Sequence, residues 1–334
     1  LKPERTDSWE VGLDMKLFKD FNLGLSWYLA NTFNQTFDPQ ISVSSGYTTI
    51  YLQTGYVRNT GLELSLGYGH TWNNNFRWDS NFTLSHNKNK IKELVRDYVH
   101  PETGELINKN RLDVGGLGKA RFILKEGGTL GDLYTQSDLK RDDNGMVDID
   151  PTGIVAIENN LPDIKLGSVF PKANLAWSNH FSWKGISLSA LFTARIGGIV
   201  YSATEAAMDQ YGVSERSALG RDNGGVLVNN RTLVDAQNYY TTIGSESGLP
   251  QYYTYNATNV RLQEASIGYL IPRKWLGNVC DIQVSVIGRN LWMIYNKAPF
   301  DPESVATTDN YYQGIDYFML PSTRNIGFNV KINF

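Results

Sequence analysis

The feature that most constrains this chain is strict two-residue alternation, sustained over runs that would be long for a soluble protein. Trp9, Val11, Leu13, Met15 and Leu17 are apolar, and Glu10, Gly12, Asp14 and Lys16 lie between them. Neighbouring side chains on a strand point to opposite faces, so such a run makes one dry face and one wet face. A turn at Lys19-Asp20 leads to Phe21, Leu23, Leu25, Trp27 and Leu29, interleaved with Asn22, Gly24 and Ser26. The pattern returns in Leu62, Leu64, Leu66 and Tyr68 against Gly61, Glu63, Ser65 and Gly67. A turn at Asn73-Asn74-Asn75 then precedes Phe76, Trp78, Phe82 and Leu84 against Arg77, Asp79, Asn81 and Thr83.

Five further strands follow. Ala173, Leu175, Trp177 and Phe181 share a face, and a turn at Trp183-Lys184-Gly185 leads to Ile186, Leu188, Ala190, Phe192, Ala194 and Ile196. Residues 260–271 alternate with a phase slip near Glu264, which predicts a bulge. After a turn at 272–278, Ile282, Val284 and Val286 oppose Asp281, Gln283 and Ser285. Ile326, Phe328, Val330, Ile332 and Phe334 close the series. Several runs reach about ten residues, enough to cross a bilayer when tilted. The connections alternate between short turns and long stretches at 34–54, 88–170, 200–256 and 294–322. A soluble β-sandwich or β-solenoid also alternates. Long strands free of proline, with one face filled by large aliphatic and aromatic residues, favour a transmembrane β-barrel.

Composition narrows the function. Mean hydropathy is −0.34, and no apolar run approaches the roughly 18 residues of a membrane helix, so a helical membrane protein is excluded and a barrel is not. A net charge of −3 gives no general basic surface for nucleic acid. The single cysteine, Cys280, excludes an internal disulfide, and His70, His86, His100 and His180 lack metal-ligand spacing. No nucleophile triad, phosphate loop or metal triad is present, so neither an enzyme nor a cofactor is expected.

Placing the long connections outside puts the four short turns in the periplasm. The first strand then descends and the last ends at the periplasmic face. A complete single-chain barrel has an even strand count and both ends inside. Residues 1–334 are therefore expected to be the C-terminal portion of a longer barrel. Leu64, Leu188, Phe192, Val284 and Phe328 should face lipid, and Glu63, Arg195, Gln283 and Asn329 the lumen.

The motifs resemble one family. Leu1-Lys2-Pro3-Glu4-Arg5 with Trp9-Glu10-Val11-Gly12-Leu13 looks like the opening of a late barrel strand of TonB-dependent receptors, and Asn59-Thr60-Gly61-Leu62-Glu63-Leu64 resembles their "N-x-G-x-E" strand. Val260-Arg261-Leu262-Gln263 with Ile267-Gly268-Tyr269 and Pro272, and Gly288-Arg289-Asn290-Leu291, are similar to the "F-x-R-L…L-x-Y-x-L-P" and "G-x-N-L" segments of the SusC/RagA branch. The resemblance implies a 22-stranded, plugged transporter in the outer membrane of a Gram-negative bacterium. It implies a SusD-like surface lipoprotein as lid, and glycan or peptide import with energy relayed by TonB through a plug. That plug and the earlier strands are absent from these residues. A passive porin, an export barrel or a secreted glycan-binding β-protein are the competing functions.

Candidate residues follow. Tyr239, Tyr240, Tyr252, Tyr253, Tyr255, Tyr311, Tyr312 and Tyr317 crowd the long connections. They suit substrate stacking or contact with the lid, and equally loop packing and an interfacial girdle. Glu10, Asp14, Glu63, Arg77, Asp79, Arg195, Arg261 and Arg289 fall on polar faces. They are expected to line the lumen, bonding one another or the plug. Asp142, Asn144, Asp148 and Asp150 form a weak candidate for a hard cation, set against an Asn-Gly turn with solvated acids. Phe334, the terminal aromatic, resembles the signal read by the barrel-insertion machinery.

Overall fold

The structure is a computed structural model that describes residues 3–39, 46, 50–99, 104, 106–245, 248–277, 279–307 and 312–333. Nine strands form one antiparallel sheet in chain order: β1 (Arg5–Leu17), β2 (Phe21–Phe37), β3 (Leu52–Thr71), β4 (Arg77–Glu93), β5 (Ala173–Trp183), β6 (Ile186–Ile196), β7 (Asn259–Ile271), β8 (Asp281–Asn296) and β9 (Asn325–Asn333). This is the nine-stranded wall that the alternation predicts. Among the described residues no helix is long and apolar enough to cross a membrane.

Register converts the alternation into faces. Leu13, Leu25, Leu64, Leu84, Leu175, Ala194 and Val260 stand side by side across seven strands, and Met15, Leu23, Leu66, Phe82, Trp177, Phe192, Leu262 and Trp292 form the next row. On the opposite face Gly12, Ser26, Glu63, Ser85, Asn174, Arg195, Asn259 and Asn296 align. Leu188 stands in a further apolar row with Phe181, Ile267, Val286 and Phe328. Asn179 and Ser80 stand among the apolar rows, and indoles satisfy both. Trp78 Nε1 donates to Asn179 Oδ1 at 3.1 Å, and Trp177 Nε1 donates to Ser80 Oγ at 3.0 Å.

The turns follow from local chemistry. Lys184 and Gly185 have φ of 48° and 88°, the two left-handed positions of a type I′ hairpin, and Trp183 pairs with Ile186 across them. The phase slip near Glu264 is a bulge. Leu262 and Glu264 pair with Phe192 and Leu191 of β6, so Gln263 is the extra residue. On β8 the residues facing Gln263 are Asn290 and Leu291, between Arg289 and Trp292. Asn290 is left-handed at φ 52°. A Cβ on Gly288 would meet Leu291 Cδ2 at 2.6 Å. The Gly-Arg-Asn-Leu segment is thus the backbone that accommodates this distortion.

At the short-turn end the dry face carries a run of ring contacts joining Phe21, Tyr68, Trp78, Phe181, Phe76, Trp72 and His70. Such a belt marks a membrane interface.

The core lies elsewhere. β1 and β9, the two edges, are exposed along their whole length. Most of the fully buried apolar residues, Phe122, Leu124, Leu133, Ile243, Leu249 and Tyr253 among them, sit in the long connections, joined by Phe37, Val57 and Ile91 from the ends of β2, β3 and β4. These connections carry secondary structure of their own. Strands Arg111–Leu117, Ala120–Lys125, Asp132–Thr135 and Ile164–Ser168 make a four-stranded sheet. Three helices, α1 (Ala203–Gln210), α2 (Glu215–Asp222) and α3 (Ala236–Gly244), are capped by Ser202, Ser214 and Asp235. Together they form a folded cap.

Phe192 lies in an unbroken apolar row near mid-strand, beside the polar-face Thr193. Phe192→Arg in the full-length chain should cost about 2–4 kcal/mol, and Thr193→Arg much less. Equal losses in denaturant unfolding from bilayers would contradict the assignment of faces.

Candidate functional site: the polar wall face and the outer cap

The polar face of β1 to β5 carries an open hollow of about 510 Å³ whose lining includes Glu10, Asp14, Ser26, Glu63, Thr83 and Asn174. Glu10 accepts a hydrogen bond from Ser26 Oγ at 2.7 Å. Asp14 has room because Gly24 lies opposite; a Cβ there would stand 3.1 Å from Asp14 Oδ1. Among the described residues no cation is paired with Glu10, Asp14 or Glu63. The cavity is an acidic surface, open to a basic or hydrogen-bonding occupant.

The other polar-face candidates have partners. Arg77 holds Asp79 with two bonds of 2.6 and 2.7 Å, and Arg289 Nε reaches Glu264 at 2.8 Å. Arg261 is buried, and its fork grips Asp301 at 2.8 and 3.1 Å while Asn259 Oδ1 accepts from Nε and Nη2 at 3.1 Å each. Burial alone would raise the Asp301 carboxyl. Hydrogen bonds from Arg261, the Glu303 N–H and Ser322 instead hold it below its ordinary value. Arg195 Nη2 donates to the Val169 carbonyl at 2.7 Å, and its Nε is buried without a hydrogen-bond partner. Arg195 and Arg261 therefore tie the wall to the cap rather than lining an open path.

The tyrosines divide sharply. Tyr253 is fully buried; its hydroxyl donates to Asp209 at 3.0 Å, and the Arg216 guanidinium lies 5.2 Å from its ring centre. Burial first, and then the Asp209 charge, push its pKa up. Asp209 also accepts from Ser214 Oγ and, at 2.7 Å, from Arg216 Nη2. Tyr240 OH donates to the Arg216 carbonyl at 3.1 Å, and Tyr239 packs against it edge-to-face. Tyr252 packs on the same core, and Tyr255 meets Phe300 edge-to-face. Five of the candidates thus build the cap. Tyr312 and Tyr317 remain exposed, and Tyr311 and Phe334 lie outside the described residues.

The candidate cation cluster does not converge. Asp142 Oδ1 accepts the N–H groups of Asn144 and Met146 at 2.9 Å each, and Asp150 Oδ1 accepts those of Thr152 and Ile154 at 2.8 and 2.9 Å. Asp148 is paired with Lys140 at 2.7 Å. Gly145 and Gly153, at φ 77° and 81°, close two turns of like construction. These carboxylates hold backbone amides, which is the turn reading.

One half-buried ion cluster has no trace in the local sequence pattern. Strand register sets Arg111 beside Lys125, and both reach Asp163. Arg111 donates at 2.7 and 2.9 Å, and Lys125 Nζ lies 2.9 Å away. The Arg111 hydrogen bonds hold the Asp163 carboxyl well below the usual range, against its burial.

Against this geometry the comparisons are decisive. The sequence profile of the family described as TonB dependent receptor-like, beta-barrel, matches residues 1–286. The chain belongs to this TonB-dependent receptor β-barrel family. TonB-dependent receptor P3 of Formosa agariphila is 24% identical over 99% of the chain, which covers 34% of that relative. The structure of the RagAB peptide transporter superposes with TM-score 0.73 at 19% identity, over 99% of this chain and 35% of that one. The closed-closed state of the RagAB peptide importer gives 0.69 at 19%, with the same coverage. The fold is thus the RagAB barrel fold, and the chain spans about a third of its relatives' length.

Because Asp163 is held below its unfolded value, its contribution is complete above about pH 4 and is lost as pH falls through its folded value. Asp163→Asn should cost the cap about 2 kcal/mol at neutral pH and flatten this acid dependence. Hydrogen exchange of segment 106–168 against pH checks both; an unchanged acid profile would contradict the assignment.

Proposed function

We propose that this chain forms part of the wall and outer cap of an outer-membrane transporter that imports an oligomeric nutrient, peptide or glycan, under a SusD-like lipoprotein lid and with energy delivered through TonB. The observation that carries the reading is the acidic polar-face cavity beneath a folded cap, on a wall whose other face carries the apolar rows running from Leu13 to Val260 and from Met15 to Trp292. A secreted glycan-binding protein would leave that apolar face in water. The plug and earlier strands belong, on this reading, to residues outside this chain, and Glu10, Asp14 and Glu63 are the wall groups that meet the plug or the solute.

The solved relatives of this fold are named as peptide transporters, which favours peptide over glycan. Tyr312 and Tyr317, still exposed, are the aromatic residues offered to substrate. The lid is assigned to the cap tip, where Tyr211, Val213, Leu219, Leu227 and Leu233 are exposed. Leu227 and Leu233 face each other across a short hairpin, and exposed apolar groups of this kind suit a protein partner.

Uptake of the oligomeric nutrient by cells carrying the full-length transporter should fall to background when TonB is deleted. Uptake at the normal rate in such cells would instead identify a passive porin.

A further inference from the structure

Above the apolar rows the outward face of β3 and β4 changes character. On β4, Phe82 and Leu84 are followed on the same face by His86, Lys88 and Lys90, and Lys92 follows as the extra residue between Ile91 and Glu93. The register runs without a slip from Thr71 to Val57, so His86 lies opposite Leu62, Lys88 opposite Thr60 and Lys90 opposite Arg58. The interleaved residues point inward beneath the cap. Asn89 Oδ1 accepts the Leu130 N–H at 2.9 Å, and the side chain of Ile91 is fully buried in the cap core. Lys88 and Lys90 are exposed on the other side.

The depth of this cluster is marked by tryptophans in the same rows. Trp9, 73% exposed, shares its row with Leu29, Thr60 and Lys88, and Trp27, 42% exposed, shares the row of Leu62 and His86. Indoles outside a barrel mark the interface. At about 3.3 Å per residue and roughly 45° tilt, Lys88, Lys90 and Lys92 rise about 5 to 14 Å above His86. That interval is the outer headgroup layer.

The charge there is uncompensated. Arg58 Nε donates to Asn31 Oδ1 at 2.8 Å and Nη2 to the Tyr56 hydroxyl at 2.7 Å, which fixes the guanidinium in place. Arg58 and Lys90 both act on Lys92 with like charge. Among the described residues no carboxylate forms an ion pair with Arg58, Lys88, Lys90 or Lys92; Asp7, in the Asn31 and Arg58 row, is paired with Arg5 at 2.7 Å. Gathered cations without a counterion are unfavourable until an anion arrives.

We propose that Arg58, Lys88, Lys90 and Lys92 form a binding site for the phosphate of an outer-leaflet glycolipid, whose acyl chains lie along Leu62, Leu64, Leu66, Phe82 and Leu84. Free phosphate supplies the charge but not the chains, so it binds weakly here. The site concerns the annulus around the barrel and does not depend on what the lumen carries.

The test uses the full-length transporter in nanodiscs of phosphatidylcholine doped with phosphorylated lipid A, and measures by mass spectrometry the lipid A retained after transfer to detergent. Wild-type protein should retain phosphorylated lipid A, lose it at high salt, and fail to retain the dephosphorylated form. A single near-surface cation contributes roughly fivefold, so the combined K88Q, K90Q and K92Q variant should bind on the order of a hundredfold more weakly. Millimolar inorganic phosphate should not displace the lipid. Equal retention by the triple variant, equal retention of dephosphorylated lipid A by wild type, or displacement by inorganic phosphate would each overturn the proposal. The dephosphorylated arm needs no variant, so it decides the matter even if the triple variant folds poorly. Nutrient uptake enters none of these readouts.

Discussion

The rest of the structure depends on one constraint: in hydrocarbon, every strand must satisfy its backbone groups on its neighbours. An unpaired N–H or C=O there costs several kcal/mol, which is why the nine wall strands keep continuous antiparallel register. Once the register is set, the two-residue alternation becomes two surfaces, the apolar rows on one face of the wall and Gly12, Ser26, Glu63 and their neighbours on the other. Departures from the pattern are few and locally compensated. Gln263 is absorbed as a bulge against Asn290 and Leu291, and Asn179 and Ser80 find indole donors on the dry face.

The same constraint explains why the core is displaced. A wall one strand thick, with lipid on one side and water on the other, buries little of its own side-chain surface. The buried apolar residues lie in the cap, where chain segments pack on one another in water. Arg195 and Arg261 join the two parts. Each sits at the upper end of a wall strand and reaches a carbonyl or carboxylate contributed by the connections. Removing one partner of such a buried pair strands the other charge, so these arginines read better as structural ties than as groups along a solute path.

How much was legible follows from which forces leave a local trace. The wall was readable because lipid imposes alternation residue by residue, and the Lys184-Gly185 hairpin because only certain residues tolerate both left-handed positions. Strand ends were not. β4 continues to Glu93 through Asn87, Lys88, Asn89 and Lys90, where pairing persists after the apolar signal stops. The cap was missed because its strands are short and its three helices span only two or three turns. One trace was available: Ser202 and Glu205 have the spacing of a capping box, and Ser202 Oγ does accept the Glu205 N–H at 3.0 Å. Tyr253 and Asp163 owe their environments to partners 44 and 52 residues away in sequence, which no local pattern reveals.

The central claim is that this chain is barrel wall, with one face in lipid and the other facing a hydrated lumen. Spin labels placed singly at positions 62 to 67 of the full-length transporter in liposomes test it most directly, by comparing collisions with oxygen and with a water-soluble nickel complex. The account predicts oxygen-dominated labels at 62, 64 and 66 and nickel-dominated labels at 63, 65 and 67. Uniform accessibility along the strand, or the opposite phase, would contradict it.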